Sequence, residues 1–348
     1  MPLSTLLSRG NNNIDLFRLI AACMVIYAHA FVFVPRPGAH DHINALLVFD
    51  DAGSLAVKVF FFLSGLVVTN SLIEKRNVVA FVIARLFRLW PALLMVLLVT
   101  ALLIGPVFSN LGLSDYYSQP LTRAYLLDNL LLRTRFELPG VFVSDGATNS
   151  VNGSLWTLSY EVGAYLVLAA CFLIGVFHHR ALALAVGVLL IVDPLFSNKL
   201  LLTWLPQQHW INLLPPCFAF GSLLALYKDK VQIGPGLLVG LYALLFVFGK
   251  SAFVAYFFYA ALFCSILYVS GLQIVLRLKP RIDISYGVYL WGFPVQQMLA
   301  RLFPHEGPIF NQLVAVALSM ALGYLSWHLV EKHGIRLGAQ LSRKLAPP

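Results

Sequence analysis

The chain has 348 residues and a mass of 38.6 kDa, with 59% hydrophobic and 11% charged residues, a net charge of +9 and a mean hydropathy of +0.82. A soluble domain carries about 25% charged residues, so this composition would leave apolar surface that a soluble fold could not cover, and it equally excludes disorder, collagen and a disulfide-stapled secreted scaffold. The Lys and Arg residues fall in short groups between apolar runs rather than on one exposed face, which argues against nucleic-acid binding and for a polytopic membrane protein.

A helix crossing the hydrocarbon core takes about 20 mostly apolar residues. Apolar runs between polar breaks predict ten such helices, near 14–34, 54–73, 78–107, 154–177, 181–197, 207–227, 233–249, 251–271, 284–303 and 309–330. The expected fold class is therefore an all-α polytopic membrane protein of about ten transmembrane helices, one domain spanning 1–348. The fifth and seventh windows are short. No cleavable leader is expected, because the first run lacks a small-residue cleavage site and already contains Asp15 and Arg18. With a cytoplasmic N-terminus and ten crossings, the inner side holds 16 Lys and Arg residues and the outer side 8. That asymmetry is the one expected of the cytoplasmic face, and it places both termini in the cytoplasm, with a tail at about 331–348. The longest outer segment, about 109–153, carries Asp128–Arg133 as a short interfacial helix. It reads either as a lid facing the acceptor or as an ordinary connection.

Cys23, Cys171, Cys217 and Cys264 lie far apart inside apolar stretches, without metal-ligand spacing, and read as small buried hydrophobes. No metal site is expected. Ionisable residues within membrane helices cost about 2.5–3.5 kcal/mol on insertion scales and point to function. The first window carries three. Arg18 and His29 are eleven residues apart, about three turns, so they share one face and stand about 16 Å apart along the axis. Asp15 sits one turn before Arg18 on the same stripe. Taken alone, His29 also fits a polar core residue bonded to a neighbouring helix.

The third window begins with Arg85 and Arg88, neighbours on one face at i and i+3. They read as snorkelling anchors or, together with Arg18, as a cationic pocket for phosphate groups. Glu161 falls about 10 Å below the outer end of the fourth window. His29 comes to a similar depth, so the two are expected to meet, the carboxylate orienting the imidazole as a base. A structural ion pair is the alternative for Glu161. Ser64 reads as a helix-packing residue beside Gly65.

At these residues the sequence resembles the acyltransferase-3 family of integral-membrane acyltransferases. The matching segments are Ile14–Arg18 through His29, with an arginine and a histidine separated by ten residues; Val59–Gly65; Arg85–Arg88, an Arg-x-x-Arg motif; and Ser154–Glu161. Ile284–Trp291 and Ser326–Glu331 resemble the family's last two spans. The resemblance implies transfer of an acyl group, usually acetyl, from coenzyme A as co-substrate to a hydroxyl of a surface or exported carbohydrate, lipid-linked glycans among them. It implies a bacterial inner-membrane location, with contacts to membrane lipids. His29 matches the essential histidine, and Arg18, Arg85 and Arg88 match the arginines. The catalytic set expected is His29, with Glu161 or Asp15 holding charge and orientation; the donor set is Arg18, Arg85 and Arg88. Many relatives carry a further histidine shortly after the Tyr-Leu-Trp stretch, where this chain has Gly292-Phe293-Pro294, so that residue's role does not transfer.

The rival reading is a transporter or flippase of a lipid-linked sugar, with the same polar residues lining a pathway. It calls for paired repeats or broken spans, and Pro91, Pro215 and Pro216 supply breaks without matching halves. The enzyme reading instead requires a passage joining the arginines to His29.

Overall fold

Short polar stretches between the apolar runs act as helix caps, and they set where each span begins. The computed structural model describes residues 1–143, 148–196, 199–203, 205–206 and 208–345. Each of the ten predicted windows contains a helix: α1 (Ile14–Phe33), α2 (Ala52–Lys75), α3 (Val78–Val99), α4 (Trp156–Leu173), α5 (Arg180–Val192), α6 (Leu214–Leu226), α7 (Pro235–Val247), α8 (Val254–Ser270), α9 (Ser285–Leu302) and α10 (Pro308–Ser326). The side chains of Asn13, Asp51 and Asn77 accept hydrogen bonds from the backbone N–H groups of Leu16, Ser54 and Ala80, capping α1, α2 and α3. Proline at the first turn opens α7 and α10. Among the described residues there is no strand. Five helical segments are long and apolar enough to cross a membrane: 14–33, 52–75, 78–108, 153–173 and 308–344. Others, such as α7 and α8, are apolar but shorter. The protein is an all-α, multi-pass integral membrane protein.

Two helices form the interior. One is α2, in which 78% of the apolar window is buried; it packs against α1 and α6. The other is α9, buried almost continuously from Ser285 to Gln297 and packed against α1 and α10. Backbones approach closely at both, through glycine. A Cβ on Gly65 would stand 2.2 Å from the Phe218 carbonyl oxygen, and one on Gly221 would stand 2.2 Å from that of Phe62. This is the small-residue contact by which membrane helices gain dispersion energy. Because α9 meets protein on all sides, it tolerates buried amides: Gln296 Nε2 donates to the Ile26 carbonyl (2.7 Å) and to Asn311 Oδ1 (2.9 Å).

The loops sort onto two faces as the charge count requires. On one face, Leu3 N donates to Val231 O, Lys279 Nζ to Asn12 O, and Lys228 Nζ to Glu74. On the other, Arg36 donates to the carbonyls of Pro304 and Glu306, and Gln297 to those of Thr148 and Ser150. The loop helix expected at Asp128–Arg133 lies earlier, at Pro120–Leu130; it starts at a proline and stops where Leu132 turns to a positive φ of 59°. The predicted tail is largely helical, α11 (Lys332–Lys344), laid against α3 with Gly334 and Gly338 over Phe87. Residues 144–147 of the outer segment, the window edges at 197 and 207, and 346–348 of the tail lie outside the described residues. All four cysteines are free thiols, Cys217 and Cys264 buried.

Gly221→Ala should lower the melting temperature in detergent markedly, since neither backbone can yield without parting α2 from α6, at about 1–3 kcal/mol or more. Gly163→Ala, with nothing within 4 Å of the added carbon, should leave it unchanged or higher. Differential scanning fluorimetry of the purified variants checks the contrast.

Candidate active site

At the end of the bundle that carries the Lys and Arg excess, one carboxylate gathers three helices. Asp283 lies just ahead of α9, and its Oδ2 accepts from Arg18 Nη1 on α1 (3.0 Å) and from Arg88 Nη2 on α3 (2.6 Å). Its Oδ1 accepts from the Ser285 hydroxyl (2.6 Å) and backbone N–H (3.1 Å). Arg88 Nη1 donates to Glu331 Oε2 at 2.6 Å, and Glu331 Oε1 accepts from Ser326 at 2.9 Å. The Arg88 guanidinium also faces the rings of Tyr286 and Trp327, 5.7 and 5.9 Å from their centroids. Burial pushes the Asp283 carboxyl up, but the Arg18 and Arg88 guanidiniums and the Ser285 donors outweigh it and hold the group well below the usual carboxylate range.

Beside this ion chain lies a narrow cavity of about 70 Å³ whose lining includes Arg18, Arg85, Arg88, Glu161, Tyr165 and Tyr286. Arg85 differs from its two neighbours: its Nε is buried without a hydrogen-bond partner. Glu161 accepts from the Tyr165 hydroxyl, which in turn lies 2.9 Å from Ser64 Oγ and ties α4 to α2. Ser64 is thus a bonded wall residue, while the packing role falls to Gly65.

Toward the opposite end, His29 lines a second cavity of about 360 Å³ together with Asp41, Asp51, Ser154, Trp156 and Trp210. His29 Nδ1 is buried without a hydrogen-bond partner. The ring packs edge-to-face on Phe293, centroids 5.2 Å apart. Gly292, the position after the Tyr-Leu-Trp stretch, faces α1 closely enough that a Cβ would meet Ile26 Cγ1 at 2.8 Å. The two cavities do not merge; their linings share Val57 and Tyr289. The Tyr289 hydroxyl donates to the Ser154 carbonyl (3.0 Å) and lies 2.8 Å from Thr157 Oγ1.

The structure therefore unites Arg18, Arg85 and Arg88 as the sequence led one to expect, and places His29 toward the other end of the same helix. It does not bring Glu161 to His29: the carboxylate lines the arginine cavity and is bonded to Tyr165. Asp15 stays beside the arginine end, fourteen residues or about 21 Å down the helix from His29, and makes no side-chain ion pair among the described residues. No one cavity among the described residues joins the arginines to the imidazole; the two cavities adjoin at Val57 and Tyr289. Sequence reasoning missed Asp283, the carboxylate on which two arginines converge. Its signal was its place directly before the Ile284–Trp291 segment. Lys58, one of the eight Lys and Arg residues assigned to the outer side by the ten-crossing count, is a core residue, 1% exposed and paired with Asp50 (2.8 Å) and Ser54 (2.8 Å).

A multi-pass helical bundle with a basic cavity at one end and a histidine cavity at the other defines a membrane protein built around buried chemistry. The comparisons give the class a family: the acyltransferase-3 model, described as an acyltransferase domain, matches residues 11–328. The chain belongs to the acyltransferase-3 family and is a membrane-embedded acyltransferase. It is 27% identical over 337 residues to an "O-acetyl transferase" of Shigella phage Sf6, covering 92% of this chain and 95% of that one. It is 29% identical over 371 residues to "Nodulation protein 10" of Rhizobium leguminosarum bv. viciae, covering 97% of each. No solved structure matches the chain.

Asp283→Asn should destabilise the folded protein by up to about 3–5 kcal/mol, because Arg18 loses its counter-charge and Arg88 one of its two, whereas Asp15→Asn should change little. The Asp283 contribution is present at every pH above the ordinary carboxylate pKa of about 3.9 and is lost only as pH falls below it. Thermal midpoints of wild type and Asp283→Asn should therefore differ equally at pH 5 and pH 8.

Proposed function

We propose that the chain is an O-acyltransferase that moves an acetyl group from coenzyme A to a hydroxyl of a surface or exported carbohydrate at a bacterial inner membrane. The name of the phage relative and the membership in the family support O-acetyl transfer. The charge bias of the loops supports a cytosolic entry for the donor. The observation that carries the reading is the pairing of two cavities across Val57 and Tyr289, one lined by Arg85, whose Nε has no hydrogen-bond partner, and the other by His29, whose Nδ1 has none.

The residues present fit a phosphate-bearing donor. Arg18 and Arg88 are fixed by Asp283, and Arg85 retains an unsatisfied buried donor, which a phosphate oxygen would satisfy. A lipid-embedded N–H without a partner costs several kcal/mol. Coenzyme A would supply a thioester carbonyl and a thiol leaving group. His29 takes the proton of the acceptor hydroxyl as its oxygen forms the new ester bond, and the coenzyme A thiol departs with a proton delivered from the ring. Glu161, held by Tyr165, keeps charge balance in the arginine cavity rather than orienting His29. Tyr289 and Val57 form the partition that the thioester end must pass, so reaction depends on their side chains moving aside and closing behind it, a gate that keeps water from the thioester.

His29→Ala should reduce release of free thiol from acetyl-coenzyme A in the presence of acceptor glycan by about 10²–10⁴-fold. Arg85→Ala should raise KM for acetyl-coenzyme A about tenfold or more, with the acceptor KM unchanged. Both are read with a thiol reagent and radiolabelled acetyl-coenzyme A on protein in nanodiscs. Normal product formation by His29→Ala removes the base assignment, and the absence of thiol release by wild type with acceptor present returns the transporter reading.

A further inference from the structure

The histidine cavity has a composition that the acyl-transfer chemistry alone does not require. Two carboxylates, Asp41 and Asp51, line it, and among the described lining residues there is no Lys or Arg. The nearby Lys58 is taken by Asp50 and Ser54. Both carboxylates are fixed at helix starts, Asp41 at that of a short helix, His42–Leu46, and Asp51 at that of α2. Asp41 accepts from the N–H groups of Ile43 (2.8 Å) and Ala52 (2.7 Å), and Asp51 from that of Ser54 (2.8 Å). Each keeps lone pairs free for further donors. Trp156 and Trp210 contribute aromatic surface to the same wall.

A second observation is independent of the carboxylates. Ser154 is 2% exposed, lines this cavity, and its Oγ has no hydrogen-bond partner, as is also true of His29 Nδ1. Buried polar side chains left open in this way await a partner. The volume, about 360 Å³, falls within the range of about 300–1,000 Å³ typical of small-ligand sites. A ligand suited to these walls presents hydroxyl donors to fixed carboxylates, an apolar ring face to an indole, and no negative charge. We propose that the His29 cavity is an acceptor subsite for an uncharged pyranose ring, whose hydroxyls donate to Asp41 and Asp51, whose face lies on Trp156, and whose remaining oxygen takes the Ser154 hydroxyl. The proposal deepens the carbohydrate-acceptor reading and rests on it. It adds that the two carboxylates select neutral rings and reject uronic acids.

The test reads binding, so it does not depend on acetyl transfer. Saturation-transfer NMR on the full chain in phosphatidylethanolamine–phosphatidylglycerol nanodiscs uses neutral methyl pyranosides (gluco, galacto and manno) against methyl glucuronide and methyl galacturonide. At least one neutral glycoside should bind about tenfold or more tightly than either uronide. Asp51→Asn, whose amide oxygen still caps the Ser54 N–H, should weaken that preference, and adding Asp41→Asn, which gives up one of the two N–H acceptors of Asp41, should erase it, the melting temperature confirming a folded chain. Ser154→Ala and Trp156→Ala should each weaken the neutral glycoside about tenfold, with the melting temperature confirming a folded chain. Equal binding of neutral and anionic rings, no binding of any probe, or a preference untouched by the double variant overturns the proposal. Loss of acetyl transfer with the binding pattern intact would instead count against the acyltransferase reading alone.

Discussion

The convergence of Arg18 and Arg88 on Asp283, extended through Glu331, is the interaction on which the architecture rests. A guanidinium inside a membrane protein is tolerated where a counter-charge and a full set of acceptors meet it, and here one carboxylate answers to α1 and α3 while standing at the head of α9. Glu331 adds the end of the α10 segment through the same Arg88. Four spans are thereby set in register at one end of the bundle before any packing is considered. The arginine cavity exists because this chain uses two guanidiniums structurally and leaves the third, on the same face of α3, facing the void. Arg85 is separated from Arg88 by less than one turn, yet the two carry different duties.

Dispersion contacts fix the rest of the frame. Hydrophobic burial gives little net drive between helices in lipid, so close backbone approach and interhelical hydrogen bonds carry the association, at about 0.6 kcal/mol for an average bond. The α2–α6 crossing at Gly65 and Gly221 is of the first kind. The Gln296–Asn311 pair, also bonded to the Ile26 carbonyl, is of the second. The Gln296 bond to Ile26 holds α1 against α9, where the His29 ring packs on Phe293.

Much of this was legible in the residues. Ten apolar windows locate ten helices because apolar length is a direct consequence of the solvent, and the Arg18–His29 stripe follows from helical periodicity alone. What depends on neighbours was not legible. Depth counted along separate helices does not say which faces meet, and Glu161 accepts from Tyr165 in the arginine cavity instead of meeting His29. Asp283 lies outside the apolar windows, where a carboxylate ordinarily reads as solvated loop, and only the fold shows two arginines closing on it. Lys58 looks like an end-of-span anchor by its position, but Asp50 and Ser54 fold back over it. α9 carries the least apolar sequence of the interior pair because it contacts protein rather than lipid, and hydropathy measures lipid exposure, not membrane depth.

The surroundings of Gly292 bear on the position of His29. Ile26 occupies the space a side chain at 292 would take, within 2.8 Å of its first carbon. Phe293 fills the neighbouring volume by packing on both Phe33 and His29. A side chain there would first have to turn the Ile26 side chain aside on α1, three residues before His29. The aromatic neighbour offers no hydrogen bond, so the polar environment of His29 comes from the opposite wall, where Asp51 and Ser154 line the cavity. Orientation of the ring is thus set by packing on one side and left to the occupant of the cavity on the other. On the reading proposed above, such a ring would acquire its hydrogen-bonded partner when the acceptor arrives, which would link proton transfer to the presence of the hydroxyl to be acylated.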